Sequence, residues 1–403
     1  MSIRTKRTTK RSFAGIIAAA LIASVLALVA SPAGAVASVD ATVRKSGADR
    51  YLTANKAADD GNTTETKFVL ASGESYADGL TASALAGKLG GTLLLTQSNS
   101  LTTSTLTQIS KMGAESANIF LVGGTSALSA DIATTLTAAG HVVKRISGAD
   151  RYATADAVAA EIKVQGGAGS VGGYVTCMLA SGTSFADAAS ASGFAYNKST
   201  PIFLTSDTLS AGTAAQMKAS GCQQVVVLGG TTAVSASAAT DALAVSTVVT
   251  APRLSGADRY ATAAAMATQF ATWDTDFRDS AVLVDGNNFP DSLAASQYAG
   301  SAAVKSVILP VTTPMPSAIS TWLTGKNAYM ANIAVIGGTN AVPAALVTAA
   351  KTASTIAKPT CVVTATDGVD NGTVTWTSTA TMTDGAGAGG AEVLSSYTRT
   401  SAN

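Results

Sequence analysis

Three arginines occupy the same place in a repeated hexapeptide. Ser46-Gly47-Ala48-Asp49-Arg50-Tyr51 recurs at 147–152 and again at 255–260, so Arg50, Arg151 and Arg259 are equivalent. Each is predicted in the first turn of a helix, where the helix dipole disfavours a cation. Because a guanidinium holds phosphate or carboxylate through paired hydrogen bonds, these arginines are candidate ligands for an anion.

A structural role for the same arginines is equally open. Each could form an ion pair with the aspartate beside it in the hexapeptide, or with a carboxylate of a neighbouring repeat, and so hold the repeats together. Those adjacent aspartates are Asp49, Asp150 and Asp258.

Catalytic chemistry has little support in this sequence. The chain contains one histidine, His141, which lies at the junction of two repeats. There is no H-E-x-x-H, C-x-x-C or G-x-S-x-G pattern, and the glycine pairs do not fit the dinucleotide or P-loop patterns. We therefore predict a protein that is not an enzyme and that uses no cofactor or metal.

Three further landmarks follow each hexapeptide in the same order. The first is Ala-Ser-Gly followed by an aspartate, the second a short apolar run, and the third Gly-Gly-Thr. Asp78, Asp187 and Asp291 each come just before a helix-like stretch, so helix capping is their predicted role. The third copy departs from the others with Asp285, Pro290 and Pro310.

The hydrophobic pattern alternates between strands and helices. Short, continuous apolar runs such as Phe68 to Ala71 indicate strands that are covered on both faces. Between such runs, Tyr152, Ala155, Ala159 and Ile162 fall on one helical face. The hexapeptides are 101 and 108 residues apart, so each repeat has the size of a domain. The sequence thus predicts an α/β fold of three tandem doubly wound modules with parallel sheets.

All of the landmarks follow predicted strands. They should therefore lie at the carboxyl edge of each sheet, which is where open α/β sheets bind ligands.

The N-terminus has the pattern of a signal peptide. Five basic residues precede an apolar run from Phe13 to Ala30, and small residues then offer cleavage sites near Ala35 and Ala37. An uncleaved membrane anchor is the alternative. Cleavage would change the formal charge from +1 to −4, which disfavours binding to nucleic acid or to an acidic membrane.

The predicted divisions are a signal peptide at 1–37, repeats at 41–142, 143–250 and 251–352, and a linker with a tail at 353–403. Cys177 and Cys222 lie near two predicted strands of one repeat and are a candidate disulfide, which would leave Cys361 over. The tail resembles the opening of a fibronectin type III module, with Trp376 on an alternating strand and Tyr397 further on.

The repeated pattern R-x-S-G-A-D-R-Y, A-S-G-x-x-x-A-D, an I-L-L-like strand and V-G-G-T resembles the bacterial cell-wall-binding repeat type 2 family. Arg44 and Arg253 match the first arginine of that pattern, and Arg145 matches it roughly. The resemblance implies Rossmann-like modules packed with pseudo-threefold symmetry. It also implies non-covalent attachment to an anionic polysaccharide or teichoic-type polymer of a Gram-positive wall. The implied site comprises Arg50, Arg151 and Arg259, their neighbours Asp49, Asp150 and Asp258, and the strand residues Leu94, Ile202 and Ile308.

Two functions follow from these observations. The first is a secreted, wall-associated protein that anchors itself through its arginines. The alternative is a structural surface-array scaffold, in which the arginines only mediate packing between modules.

Overall fold

A computed structural model describes residues 43–59, 61, 64–246, 252–326 and 330–355, together with three short strands nearer the C-terminus. The described residues up to Thr355 form one compact unit, and the three strands from Thr360 onward belong to a second. The predicted signal peptide lies outside the described residues. No helix in the described ranges has both the length and the apolar character needed to cross a membrane.

The helices and strands of the larger unit alternate as the hydrophobic pattern predicts. The first repeat contains β1 (Val43–Lys45), α1 (Arg50–Ala58), β2 (Glu65–Ser72), α2 (Tyr76–Leu89), β3 (Thr92–Thr96), α3 (Thr103–Met112), β4 (Gly113–Val122) and α4 (Ala130–Ala138). The second contains β5 (Val142–Ile146), α5 (Arg151–Val164), β6 (Ser170–Val171), β7 (Tyr174–Ser181), α6 (Ala186–Lys198), β8 (Ile202–Thr205), α7 (Ala211–Ala219), β9 (Gln224–Leu228) and α8 (Ala236–Val245). The third contains β10 (Arg253–Leu254), α9 (Arg259–Trp273), a 3-10 turn (Thr275–Arg278), β11 (Ser280–Asp285), α10 (Pro290–Gly300), β12 (Val307–Val311), α11 (Ser317–Thr324), β13 (Asn332–Ile336) and α12 (Ala344–Ala353).

Each sheet has four parallel strands, and its last strand comes from the next repeat. The first sheet has the order β3-β2-β4-β5, and the second has β8-β7-β9-β10 with the short β6 antiparallel to β7. The third sheet is completed by β1 from the start of the first repeat, in the order β12-β11-β13-β1. The three repeats therefore exchange strands in a closed cycle.

The predicted boundaries fall near the exchanged strands. The boundary at 142/143 lies inside β5 and that at 250/251 lies just before β10, so each exchanged strand belongs in sequence to one repeat and is hydrogen bonded to the sheet of the repeat before it.

Helices α2, α6 and α10 pack against one another at the centre of the unit. Close packing requires small side chains there. A Cβ on Gly87 would lie 1.8 Å from the carbonyl oxygen of Tyr196, and one on Gly300 would lie 2.3 Å from that of Gly193. These contacts explain why alanine, glycine and serine fill the three helices, which are buried on nearly every side.

The predicted helical face in the second repeat is confirmed, since Ala155, Ala159 and Ile162 are buried. Cys177 and Cys222 form a disulfide across the second repeat.

The smaller unit contains β14 (Thr360–Ala365), β15 (Val374–Thr381) and β16 (Thr398–Ser401) in one antiparallel sheet. The strand predicted around Val374 is thus present, and a fibronectin type III module remains a prediction.

Candidate functional site

The aspartate of each hexapeptide caps a helix. The carboxylate Oδ1 of Asp49 accepts a hydrogen bond from the backbone N–H of Leu52 at 2.7 Å, and Asp150 and Asp258 accept equivalent bonds at 2.8 Å. The cap satisfies a backbone donor that the helix itself leaves free. These aspartates, included above in the implied polymer site, therefore have a structural task in the described chain.

The cap fixes the arginine that follows it. Nη1 of Arg50, Arg151 and Arg259 donates to the carbonyl oxygens of Gly73, Gly182 and Gly286, at 2.6, 2.6 and 2.7 Å. Each glycine lies in the loop that directly follows β2, β7 or β11 of the same repeat. A side chain there would collide with the hexapeptide tyrosine, since a Cβ on Gly182 would lie 2.3 Å from the Tyr152 ring.

Three aromatic rings meet where the central helices begin. The centroids of Tyr76, Phe185 and Phe289 are separated by 5.9 to 6.1 Å, so each ring contacts the other two. The rings are inclined to one another by 53–65°, close to the edge-to-face geometry that aromatic pairs favour.

Each ring carries an arginine from the following repeat. The guanidinium carbon of Arg151 lies 5.5 Å from the centre of Tyr76, that of Arg259 lies 5.4 Å from Phe185, and that of Arg50 lies 6.0 Å from Phe289. These distances are those of cation–π contacts. We call the three arginines and three rings the arginine centre.

The arginines of the arginine centre form no ion pair with a described residue, so the ion pairs suggested as their structural role are not present there. Among the described residues, no carboxylate lies within 4.0 Å of Arg50, Arg151 or Arg259. Arg50 and Arg151 are exposed and Arg259 is half-buried. The hydrogen bonds that hold them use Nη1, and no acceptor among the described residues binds their Nε or Nη2.

A second set of arginines also joins the repeats. Arg44 donates from Nη1 to Gly337 and from Nη2 to Val342, both backbone carbonyls of the third repeat, at 2.7 and 2.8 Å. Arg253 donates to the equivalent carbonyls of Gly229 and Val234, and Arg145 donates to those of Gly123 and Ser129, in each case in the repeat before it. All three side chains are partly buried, and desolvation lowers the pKa of each guanidinium. Arg145 therefore occupies the same position as the other two, with its second acceptor displaced by one residue.

Asp78, Asp187 and Asp291 do not cap their helices, so that prediction was wrong. The cap positions belong to Ser75, Phe185 and Phe289, and the aspartates lie further on, in the first turn. Their carboxylates pack instead against the Gly-Gly turn, where a Cβ on Gly229 would lie 2.2 Å from Asp187 Oδ2. Gly229 has a φ of 99°, which favours glycine for a second reason.

Asp78 and Asp187 are buried and Asp291 is half-buried, which changes the acidity of all three carboxyl groups. Desolvation raises the pKa of Asp78 and of Asp291 to about 6, and it raises that of Asp187 as well. The nearest charge that counteracts burial is the arginine of the following repeat, which is Arg151 for Asp78 and Arg259 for Asp187. For Asp291 the counteracting charge is Arg50, while Asp285 raises the pKa further.

The strand residues of the implied site are interior. Leu94, Ile202 and Ile308 are at most 2% exposed. Sheet register further shows that Leu93, and not Leu94, corresponds to Ile202 and Ile308, since each lies three residues before the partner of the strand-ending Ser72, Ser181 or Asp285. Leu93 belongs to the central core with the other two, whereas Leu94 faces the core of the first repeat. In the described structure these residues are parts of hydrophobic cores and have almost no exposed surface.

Sequence reasoning missed the aromatic triad. The signal was present, because an aromatic residue precedes the aspartate by two positions in Tyr76-Ala77-Asp78, Phe185-Ala186-Asp187 and Phe289-Pro290-Asp291. No cluster of three or more metal-ligating side chains occurs in the described part of the chain.

Comparison with known proteins identifies relatives of this fold. The sequence is 30% identical to N-acetylmuramoyl-L-alanine amidase LytC of Bacillus subtilis (strain 168) over 301 residues, which are 74% of this chain and 56% of that protein. It is 29% identical to the amidase enhancer of the same organism over 262 residues, 65% of this chain and 34% of the enhancer. The chain spans about half of the first relative and a third of the second.

Two solved structures have a similar fold. Cwp8 and Cwp6 from Clostridium difficile superpose with TM-scores of 0.66 and 0.67 at 22% identity. Each match covers 78% of this chain, and it covers 51% of Cwp8 and 48% of Cwp6.

The repeats themselves match one domain family, described as cell wall binding domain 2, at residues 44–133, 145–239 and 253–347. Because these three segments together span more than half of the sequence and fall one on each repeat, this chain belongs to the cell wall binding domain 2 family.

Proposed function

We propose that this protein is an exported, non-enzymatic wall anchor, and that the arginine centre binds an anionic polymer of a Gram-positive cell wall without a covalent bond. One observation carries the proposal. Arg50, Arg151 and Arg259 are held in place by Nη1 and by an aromatic ring, but no described carboxylate within 4.0 Å neutralises them. Their remaining N–H donors are free to take a phosphate or carboxylate.

The helix ends support the same proposal. Helices α2, α6 and α10 begin at the aromatic triad, so three positive ends of helix dipoles converge beneath the three guanidinium groups. Helix N-termini that converge near three guanidinium groups offer backbone and side-chain donors to an anion, on a chain that is mildly acidic once the N-terminal segment is removed.

The proposal also covers the arrangement of the three repeats and the cellular location of the protein. We infer that the repeats are Rossmann-like modules with pseudo-threefold symmetry, which the cyclic strand exchange and the cyclic arginine–aromatic contacts support. Residues 1–37 are proposed to be a cleaved signal peptide that delivers the protein to the wall.

Sedimentation with purified walls tests the proposal. The variant R50A/R151A/R259A should lose most of its retention, and added salt should release the wild-type protein. A matched control is K56A/K163A/K218A, which removes the same charge from exposed lysines in the last turns of α1, α5 and α7. Those helix ends lie at the opposite edge of the sheets from the arginine centre, so the control should be retained.

Walls stripped of their anionic polymers should retain neither the wild type nor the control. Equal retention by stripped and intact walls would contradict binding to an anionic polymer. If the arginine variant is retained but melts at a lower temperature, the arginines serve packing and the surface-scaffold alternative is favoured.

A further inference from the structure

The three arginines of the arginine centre lie close to one another. Each guanidinium carbon lies 5.4 to 6.0 Å from the centre of its ring, and the three ring centres are 5.9 to 6.1 Å apart. These contacts therefore place no two of the guanidinium carbons more than about 18 Å apart. The arginines thus surround one aromatic cluster and do not lie on three distant surfaces.

Each guanidinium group keeps donors for a ligand. Arg50 and Arg151 are exposed and Arg259 is half-buried. A glycine carbonyl holds each of them through Nη1, and no acceptor among the described residues binds their Nε or Nη2. Paired N–H groups of a guanidinium bind phosphate through two parallel hydrogen bonds. Each arginine therefore offers one set of donors to an anion.

The distance between the arginines suits a polymer whose charges recur at short intervals. In a phosphodiester polymer of a three-carbon polyol, six backbone bonds of about 1.5 Å separate successive phosphorus atoms, so that neighbouring charges lie at most roughly 7 Å apart. A segment of about four such units is therefore long enough to bring one phosphate to each arginine.

The same distance disfavours three separate polymer chains. Three chains bound within about 18 Å of one another would lie within roughly two Debye lengths at physiological salt, and their charges would repel. A single chain avoids this assembly of separate polyanions. Once its first phosphate is bound, the next ones are held near the remaining arginines at a high effective concentration.

We propose, building on the function proposed above, that the arginine centre is one site and not three, and that it binds a single segment of a phosphodiester polymer. Nearby phosphates of that segment contact Arg50, Arg151 and Arg259. Affinity then comes from three weak contacts with one chain, so a single phosphodiester binds poorly and a longer segment binds well.

The three contacts differ in strength. Glu74 directly follows Gly73, whose carbonyl oxygen binds Arg50, and its side chain is exposed. Thr183 and Asn287 occupy this position in the other repeats, so only the first repeat has a carboxylate there. Because a carboxylate repels phosphate, we expect Arg50 to contribute least of the three arginines.

Titration calorimetry with oligomers of defined length tests the inference. The probes are glycerol phosphate oligomers with one, three and six phosphodiester groups, added to the chain without residues 1–37. The oligomer with six phosphates should bind in a ratio of one per chain, with a Kd about 100-fold below that of the single phosphodiester. This measurement uses the unsubstituted chain, so no loss of folding in a variant affects it.

Single substitutions then show whether one segment contacts all three arginines. R151A and R259A should each raise the Kd of the six-phosphate oligomer about tenfold, and R50A about threefold, while the ratio stays at one per chain. E74Q should lower the Kd about threefold. The matched control K163A removes an exposed charge from the last turn of α5 and should leave the Kd unchanged.

Two results would overturn the inference and leave the proposed function intact. One is binding of three six-phosphate oligomers per chain with the Kd of the single phosphodiester. The other is a loss of affinity that is confined to one of the three arginine variants. Absence of binding, or binding that R50A/R151A/R259A does not weaken, would overturn the proposed function, and the inference with it.

Discussion

Arg151 joins two repeats through the phenol of Tyr76. Its guanidinium carbon lies 5.5 Å from the ring centre, and its Nη1 donates to Tyr76 Oη at 3.0 Å. The same Nη1 donates to the Gly182 carbonyl at 2.6 Å, and Tyr76 Oη donates to that carbonyl at 3.2 Å. At the two other interfaces the ring is phenylalanine, so only this one has the additional polar contacts.

This difference predicts two effects of changing Tyr76. Tyr76→Phe keeps the ring and removes the phenol, and should lower the free energy of unfolding by about 1 kcal/mol. Tyr76→Ala also removes two aromatic contacts, and should lower it by about 3 kcal/mol. Urea denaturation of both variants measures the two losses. Equal losses would show that the ring adds nothing to the interface.

Arg44 lies where the third repeat closes onto the first, and this position predicts the effect of replacing it. Arg44→Ala removes two hydrogen bonds from a charged donor, and should cost about 2 kcal/mol of stability. Because β1 reaches β13 across nearly the whole chain, hydrogen exchange at Ile333 to Ile336 should quicken.

Arg145→Ala is the comparison for that variant. It removes equivalent bonds, but β5 follows α4 after a short turn and stays close to its own sheet. We expect exchange in β4 to change less than exchange in β13. The opposite order would argue against an opening between the first and third repeats.

The buried charge of Asp78 predicts stability that depends on pH. Its pKa in the folded chain, about 6, lies above the ordinary value of 3.8. A raised pKa adds stability that is complete below the ordinary value and is lost as the pH rises through about 6. Asp78→Asn should therefore be more stable than the wild type by about 2 kcal/mol at neutral pH, with little difference near pH 4. Guanidinium denaturation at the two pH values measures this. A variant that is less stable at neutral pH would show that the ionised carboxylate supports the fold.

The disulfide of the second repeat predicts a loss of stability when its two cysteines are replaced. It closes a loop of 45 residues between two buried cysteines. Replacing Cys177 and Cys222 together by alanine should lower the free energy of unfolding by about 2–4 kcal/mol, mainly because the unfolded chain gains freedom. The same loss should appear in the wild type after reduction under denaturing conditions. Unchanged stability would mean that strain in the folded state offsets this entropy.

Local sequence patterns were sufficient to predict the repeats and their secondary structure. Apolar runs that are covered on both faces predicted Phe68 to Ala71 as a buried strand, and the spacing of Ala155, Ala159 and Ile162 predicted a helical face that is buried. These features depend on side-chain periodicity within a few residues, which the sequence contains in full. The three hexapeptides likewise predicted one arginine at the start of a helix in each repeat.

Only the tertiary structure decided which repeat supplies the ring that each arginine contacts and the sheet that each exchanged strand joins. The three repeats carry the same landmarks in the same order, so the sequence does not distinguish Arg151 stacking on Phe185 of its own repeat from stacking on Tyr76 of the one before. The same ambiguity hid the transfer of β5 to the first sheet. Both choices depend on how the three modules pack around α2, α6 and α10, where close contact of small residues brings the ends of different repeats together. That packing also buried Asp78 in the first turn of its helix, although its place before an apolar stretch predicted a helix cap.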